Sequence, residues 1–266
     1  MTLDNQNTEL EKPPCTGSTE YPCSVAYRKR VVIGECVLYL GDCLEIMHHL
    51  ESATFDSIIT DPPYGISLAP PRKKTKSIAN DGRKEAERLW TFMLPQLYRL
   101  AKDDTSHVFW TGWSETWTKE LLEKAFRVKS CIVWGKNNFG IGYYTRPQHE
   151  MAWYCHKGNP EKPHKAMSDL WLVPRIQAPI HSCEKPRRLL EMSIELCGGK
   201  TILDPFMGVG SCGMAAISRG KAYTGIEIDE GYFEKACERI ETAYRTKPRL
   251  FDEISKPKQA EQLSLL

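Results

Sequence analysis

Residues 201–229 read TILDPFMGVGSCGMAAISRGKAYTGIEID, a strand, a helix and a second strand in close succession. TILD is a short apolar run that suits a buried strand, SCGMAAISRG reads as a helix closed by Gly220, and KAYTGIEID is a second strand. The same alternation continues outward in both directions. Upstream, Pro186 suits the first turn of a helix whose Leu189, Leu190, Ile194 and Cys197 share one face until Gly198-Gly199 stops it. Downstream, Phe233, Cys237, Ile240 and Tyr244 mark another helix. Nearer the amino terminus, ECVLYLGDCLEIMHHL (35–50) gives a strand, a turn at Gly41-Asp42 and a short helix, and FDSIITDPPYG (55–65) a strand ending at Pro62-Pro63. Ala86, Leu89, Trp90, Met93, Leu97 and Leu100 then recur at helical spacing before the strand SHVFWTG (106–112). Trp117, Leu121, Leu122 and Ala125 mark a helix ahead of the strand CIVWGK (131–136), and HEMAWYCHKG (149–158) is strand-like. Alternating strands and helices predict an α/β fold, a doubly wound, mostly parallel sheet covered on both faces, with ligands at the strand carboxyl ends.

A chain of 266 residues suits one sizeable domain, expected over 26–245, after a polar leader (1–25) and before a polar tail (246–266). Gly65 to Asp81 reads as a Pro- and Lys-rich surface loop, and 158–180 as a Pro-interrupted connection. The net charge of +2 announces no global field. Three basic clusters, Arg28-Lys29-Arg30, Arg72-Lys73-Lys74-Thr75-Lys76 and Lys185-Pro186-Arg187-Arg188, each read by default as solvated surface, but together they lean toward a polyanionic partner. The ten cysteines are scattered, and several, such as Cys131 and Cys197, lie in apolar segments; they read as reduced core thiols. There is no Cys-x-x-Cys pair, and His48, His49 and His149 lack neighbouring ligands, so no metal is expected. The amino terminus is not a signal sequence and no apolar run reaches membrane-spanning length, so the expected location is cytoplasmic.

Asp61-Pro62-Pro63-Tyr64 ends an apolar strand in a rigid turn. An amino group conjugated to a nucleobase is a poor nucleophile because its lone pair is delocalised. A carboxylate at Asp61 and the Pro62 carbonyl can accept both amino hydrogens, building sp3 character on the nitrogen as it attacks an electrophilic methyl. Tyr64 offers a face on which an extruded base can stack. The plainer alternative is a strand terminator with a solvated aspartate, which the whole tetrapeptide at a strand end disfavours.

The second constellation is DPFMGVGS, Asp204 to Ser211. Gly208 and Gly210 let backbone approach a ligand at a helix amino terminus, and Glu227 ends the next strand about twenty residues on, where an acid binds ribose hydroxyls. The three-glycine pyrophosphate pattern is incomplete, which favours a phosphate-free nucleoside over a dinucleotide.

These motifs resemble the amino-methylating DNA methyltransferases, specifically the permuted (beta) class in which an Asp-Pro-Pro-Tyr motif precedes a Phe-x-Gly-x-Gly cofactor motif. The "QKP"-like helix of that family is represented by HSCEKPRRLL (181–190), and the resemblance runs over roughly 35–245. It implies that Asp61, Pro62, Pro63 and Tyr64 serve catalysis and that Asp204, Phe206, Gly208, Gly210 and Glu227 cradle S-adenosylmethionine. It further implies that Asp42 lies near the cofactor adenine and that Lys185 and Pro186 border the methionine moiety. Glu184 stands where the family often has Gln. Aspartate rather than serine at position 61 tilts the expected target toward N6 of adenine, with N4 of cytosine as the alternative; a catalytically silent nucleic-acid-binding subunit is a rival of another class. A cysteine nucleophile, as in C5 methylation, is rejected because Cys15 and Cys23 fall in the leader.

The family's target-recognition insertion is reduced here to the short 158–180 connection. Double-stranded DNA is the expected partner, with Arg72, Lys73 and Lys74 as candidate phosphate contacts and Tyr143 or Tyr144 as candidate stacking partners of the flipped base. QLSLL, Gln262–Leu266, resembles peptides that dock on a replicative sliding clamp, although a frayed tail is the plainer reading. A homodimer stays open as the assembly.

Overall fold

A computed structural model describes residues 26–63, 65, 82–140, 143–163, 166–179 and 184–246. The leader, Tyr64, the basic loop with Arg72, Lys73 and Lys74, and Gln262–Leu266 lie outside the described residues. The elements run β1 (Lys29–Ile33), β2 (Cys36–Leu40), α1 (Cys43–His49), β3 (Ser57–Thr60), α2 (Arg83–Leu100), β4 (Thr105–Thr111) and α3 (Trp117–Leu122). There follow β5 (Arg127–Gly135), β6 (His149–Lys157), β7 (Leu170–Leu172), α4 (Arg187–Cys197), β8 (Thr201–Asp204), α5 (Ser211–Ser218), β9 (Ala222–Glu227) and α6 (Glu230–Thr246).

The strands form one sheet in the order β1-β2-β9-β8-β3-β4-β6-β5-β7. The middle, β2-β9-β8-β3-β4, is parallel throughout. Three pairings are antiparallel: β1 on β2, and β6 with both neighbours, β4 and β5. β6 runs against both neighbours, so the sheet is mostly rather than wholly parallel. β7 is an element inside the stretch 158–180, which the sequence reading left as a connection. Three residues show no period, and their pairing with β5 is visible only in the fold.

Side-chain alternation divides the core between the two faces. Phe109 of β4 joins Ile46, Met47, Trp90, Met93 and Leu97 under α1 and α2, whereas Val108 and Trp110 turn to the other face beside Leu189 of α4. Under α4, α5 and α6 lie Ile59, Ile194, Ile202, Ala216 and Phe233. The helical face read for α2 is the buried one: Ala86, Trp90, Met93, Leu97 and Leu100 are all inaccessible. β3 is buried along its length, as a central strand of a parallel sheet must be.

From β8 the chain crosses through α5 to β9 on one side, and from β3 through α2 to β4 on the other. The carboxyl ends of β8 and β3 therefore flank the point where the strand order reverses, the place where open α/β sheets hold their ligands.

Candidate active site

Asp61 follows the last residue of β3 and Asp204 is the last residue of β8, so pairing Ser57 with Ile202 and Ile58 with Leu203 places the two motifs side by side. They are 143 positions apart in the chain, from 61 to 204. Thr60 Oγ1 donates to Asp204 Oδ1 at 2.9 Å, Phe206 N–H donates to the same oxygen at 3.2 Å, and Tyr223 OH donates to Oδ2 at 3.3 Å. Asp204 is thus a buried tie between the strands and the glycine loop. Burial, with the nearby Asp61 charge, pushes its carboxyl up to about 7 against those hydrogen bonds.

The turn after β3 is held from below. Trp90 Nε1 on α2 donates to the Pro63 carbonyl at 2.9 Å, while its ring packs at the centre of the core. Trp90→Phe keeps most of that packing and loses the bond. We expect methyl transfer to fall roughly tenfold, with a loss of ~1 kcal/mol of stability. Parallel rate and urea-unfolding measurements check this, and an unchanged rate would show that the proline ring system positions the turn unaided.

At the glycine loop, Gly208 has φ +54° and Gly210 φ +80°. A β-carbon on Gly210 would press on Ala236 and Ile240 of α6 at 3.1 Å, so this glycine serves close packing and opens α5. A β-carbon on Gly208 would meet nothing within 4 Å, which leaves room above the loop. Glu227, ending β9, accepts from Gly208 N–H at 2.9 Å and from Asp229 N–H at 2.7 Å, and burial raises its pKa. Asp42 caps α1 by accepting from Leu44 N–H at 2.7 Å, and the adjacent Gly41 N–H bonds the Glu227 carbonyl at 2.9 Å. Open space over a glycine, an acidic acceptor beside it and the half-exposed ring of Phe206 suit a nucleoside carrying a ribose diol.

The segment ahead of α4 joins both halves. The Glu184 carboxylate, 3% exposed, pairs with Arg239 of α6 and accepts from Ser211 Oγ at 3.2 Å, and Arg239 also bonds the Val209 carbonyl at 2.8 Å. The next side chain, Lys185, bonds Asp61 Oδ2 instead. Pro186 is the residue that precedes the first turn of α4. Tyr143 and Tyr144 stand on the loop after β5, which is parallel to β4 through β6, so they share the sheet edge of Asp61 and Asp204. Both are 95% exposed, with ring centroids 5.2 Å apart, and they project into solvent instead of lining an enclosed pocket.

A DNA methylase family model, the N6/N4 methyltransferases, matches residues 55–238, from just ahead of β3 to within α6. The chain belongs to this DNA methylase family. It is a DNA methyltransferase that uses S-adenosylmethionine. YubD of Escherichia coli (strain K12) is 30% identical over 212 residues, covering 77% of this chain and 90% of YubD. The DNA adenine methyltransferase YhdJ of the same organism is 24% identical, covering 76% of this chain and 82% of YhdJ. Among solved structures, the M1.HpyAVI complex with S-adenosylmethionine has a TM-score of 0.60 at 23% identity, over 77% of this chain and 98% of that one. The cytosine-N4-specific PvuII DNA methyltransferase has a TM-score of 0.65 at 13% identity, over 82% and 95%. These structural likenesses support the methyltransferase fold. Among the described residues, no helix is long and apolar enough to cross a membrane.

The sequence singles out Asp61, Asp204, the glycines and Glu227, which the fold brings to one end of the sheet, but not Thr60, Trp90 or Arg239, which hold them. Trp90 read only as core and Thr60 only as strand. No local pattern marks them, because each acts through a contact made across the fold.

Proposed function

We propose that this DNA methyltransferase acts on N6 of adenine in double-stranded DNA, on a base turned out of the duplex. Asp61 and the Pro62 carbonyl accept the two amino hydrogens and direct the nitrogen lone pair. Pro63 holds the turn rigid and Tyr64 stacks on the base. Asp204, Phe206, Gly208, Gly210 and Glu227 hold S-adenosylmethionine, with Asp42 on the adenine side and Lys185 and Pro186 bordering the methionine side. S-adenosylmethionine supplies the electrophilic methyl group. Tyr143, Tyr144 and the basic residues Arg72, Lys73 and Lys74 engage the DNA around the target.

The observation that carries this reading is the Thr60–Asp204 bond of 2.9 Å, which joins the strand bearing the acidic turn to the strand bearing the glycine loop. Adenine is favoured over cytosine by aspartate at position 61 and by the name of YhdJ. N4 of cytosine stays as the second reading because both amino groups need the same pair of acceptors and the fold neighbour from PvuII is cytosine-N4-specific. Unmethylated DNA incubated with the enzyme and methyl-labelled S-adenosylmethionine, then digested to nucleosides, should carry the label in N6-methyladenine. Label in N4-methylcytosine would replace the target, and DNA binding without label would make the chain a silent subunit.

A further inference from the structure

We infer that Lys185 is a positioning residue for methyl transfer, fixing the charge and orientation of the Asp61 carboxylate; the inference rests on the reading of Asp61 as an acceptor of the target amino group. Lys185 Nζ bonds Asp61 Oδ2, lies 3.5 Å from Glu150 Oε2 on β6, and sits 5.3 Å from the centroid of the Trp110 ring on β4. Its side chain is 5% exposed. An ammonium removed from water this far is tolerated only where opposite charge and an electron-rich face replace its hydration. Among the described residues two carboxylates and one indole contribute to this.

Around Lys185 the charges alternate: Asp61, Lys185, Glu150 and then Lys136, which pairs with Glu150 and lies 4.7 Å from the centroid of the Trp134 ring. Burial pushes the Glu150 carboxyl up, but the Lys185 and Lys136 ammonium groups outweigh it and leave the pKa lowered. The Asp61 charge is in turn one of the causes that raise the Asp204 carboxyl at the end of the adjacent strand. Lys185 is the cation that bonds Asp61 directly, and its charge opposes the repulsion from Glu150. Without it, Asp61 would bind a proton at higher pH and lose part of its capacity to accept an amino hydrogen.

The backbone beneath Lys185 is anchored on both sides, by the ion pair of Glu184 with Arg239 and by the start of α4 after Pro186. Adjacent side chains therefore reach opposite halves of the cleft, Glu184 toward the glycine loop and Lys185 toward the catalytic turn.

The full-length enzyme with Lys185→Met, Lys185→Arg or Glu150→Gln tests this through the pH dependence of single-turnover methylation and direct binding of S-adenosylmethionine. Lys185→Met should slow methyl transfer roughly 10²-fold at neutral pH. It should move the acid limb of the profile upward by about one pH unit or more. Cofactor affinity should fall far less than the rate, because Lys185 only borders the methionine side while it bonds Asp61 directly. Lys185→Arg should restore part of the rate. Glu150→Gln should move the limb slightly the other way, because it removes a negative charge. An acid limb that stays in place in Lys185→Met, or a cofactor affinity that falls as far as the rate, would overturn the inference and leave Lys185 a cofactor-pocket residue. If Lys185→Met does not fold, Glu150→Gln and Lys185→Arg decide: a downward limb shift in Glu150→Gln with the Lys185→Arg limb close to wild type supports the inference, and an unmoved limb in Glu150→Gln overturns it. A fully active Asp61→Ala enzyme would instead overturn the underlying reading of Asp61.

Discussion

Asp61→Ala should lower methyl transfer to DNA by roughly 10³-fold or more while S-adenosylmethionine still binds. The lost carboxylate is an acceptor for the amino group that must rehybridise, and a methyl side chain offers no substitute. The cofactor side keeps its own supports. Glu227 is held by Gly208 and Asp229, and Asp204 by Thr60, Phe206 and Tyr223; none of these bonds involves Asp61. Removing Asp61 leaves Lys185 against Glu150, so the buried ammonium retains a counter-charge and the fold should survive. Filter-bound label on DNA, set beside equilibrium dialysis of the cofactor, separates the two effects. Wild-type label in this variant would remove Asp61 from the chemistry, and joint loss of binding would make it part of the cofactor cradle.

The strand-and-helix alternation was legible because each central strand is a short apolar run bounded by turn residues, as in SIIT before Asp61-Pro62-Pro63 and TILD before the glycine loop. The α2 face was legible from period alone; on α6 Phe233 and Ile240 are buried as read, but Tyr244 is 49% exposed and the buried Ala236 was not singled out. The sheet order was not, since nothing in the composition of HEMAWYCHK says that it inserts antiparallel between β4 and β5. The motifs announced the acidic turn and the glycine loop, while their adjacency depends on pairing between β3 and β8. Least legible were the supports. Lys185 meets Asp61 across 124 positions, and Trp90 reaches Pro63 from a position that any buried tryptophan could occupy. Such contacts depend on tertiary geometry, so the site's groups could be read locally while the means of holding them in place could not.

The same strand pair carries the second large effect, this time on stability. At the amino ends of β3 and β8, Asp56 Oδ2 accepts from Lys200 N–H at 2.7 Å, Thr201 N–H at 2.9 Å and Thr201 Oγ1 at 3.0 Å, while Oδ1 takes Lys102 Nζ at 2.8 Å. Gly199 makes the close approach possible. Its φ is +73°, and a β-carbon there would stand 2.3 Å from Asp56 Cβ. Asp56→Ala strands three donors and a lysine at once, and we expect a loss of about 3 kcal/mol in urea unfolding at neutral pH, a large part of a typical total. Burial raises the Asp56 carboxyl, but Lys102 and the backbone donors outweigh it and bring it down to about 2, from an ordinary 3.8. Its contribution is therefore complete above the ordinary value and disappears as pH falls through about 2. Asp204, at the other end of the pair, has the opposite sign: raised to about 7, it favours the fold at low pH and loses that contribution as pH rises from its ordinary value through about 7. Asp56→Ala should then abolish most of the acid-side loss yet keep the decline between about pH 4 and 7, and Asp204→Asn should do the reverse. An Asp56→Ala protein that loses stability in acid as steeply as wild type would show that the clamp at the foot of the strands is not what acid breaks.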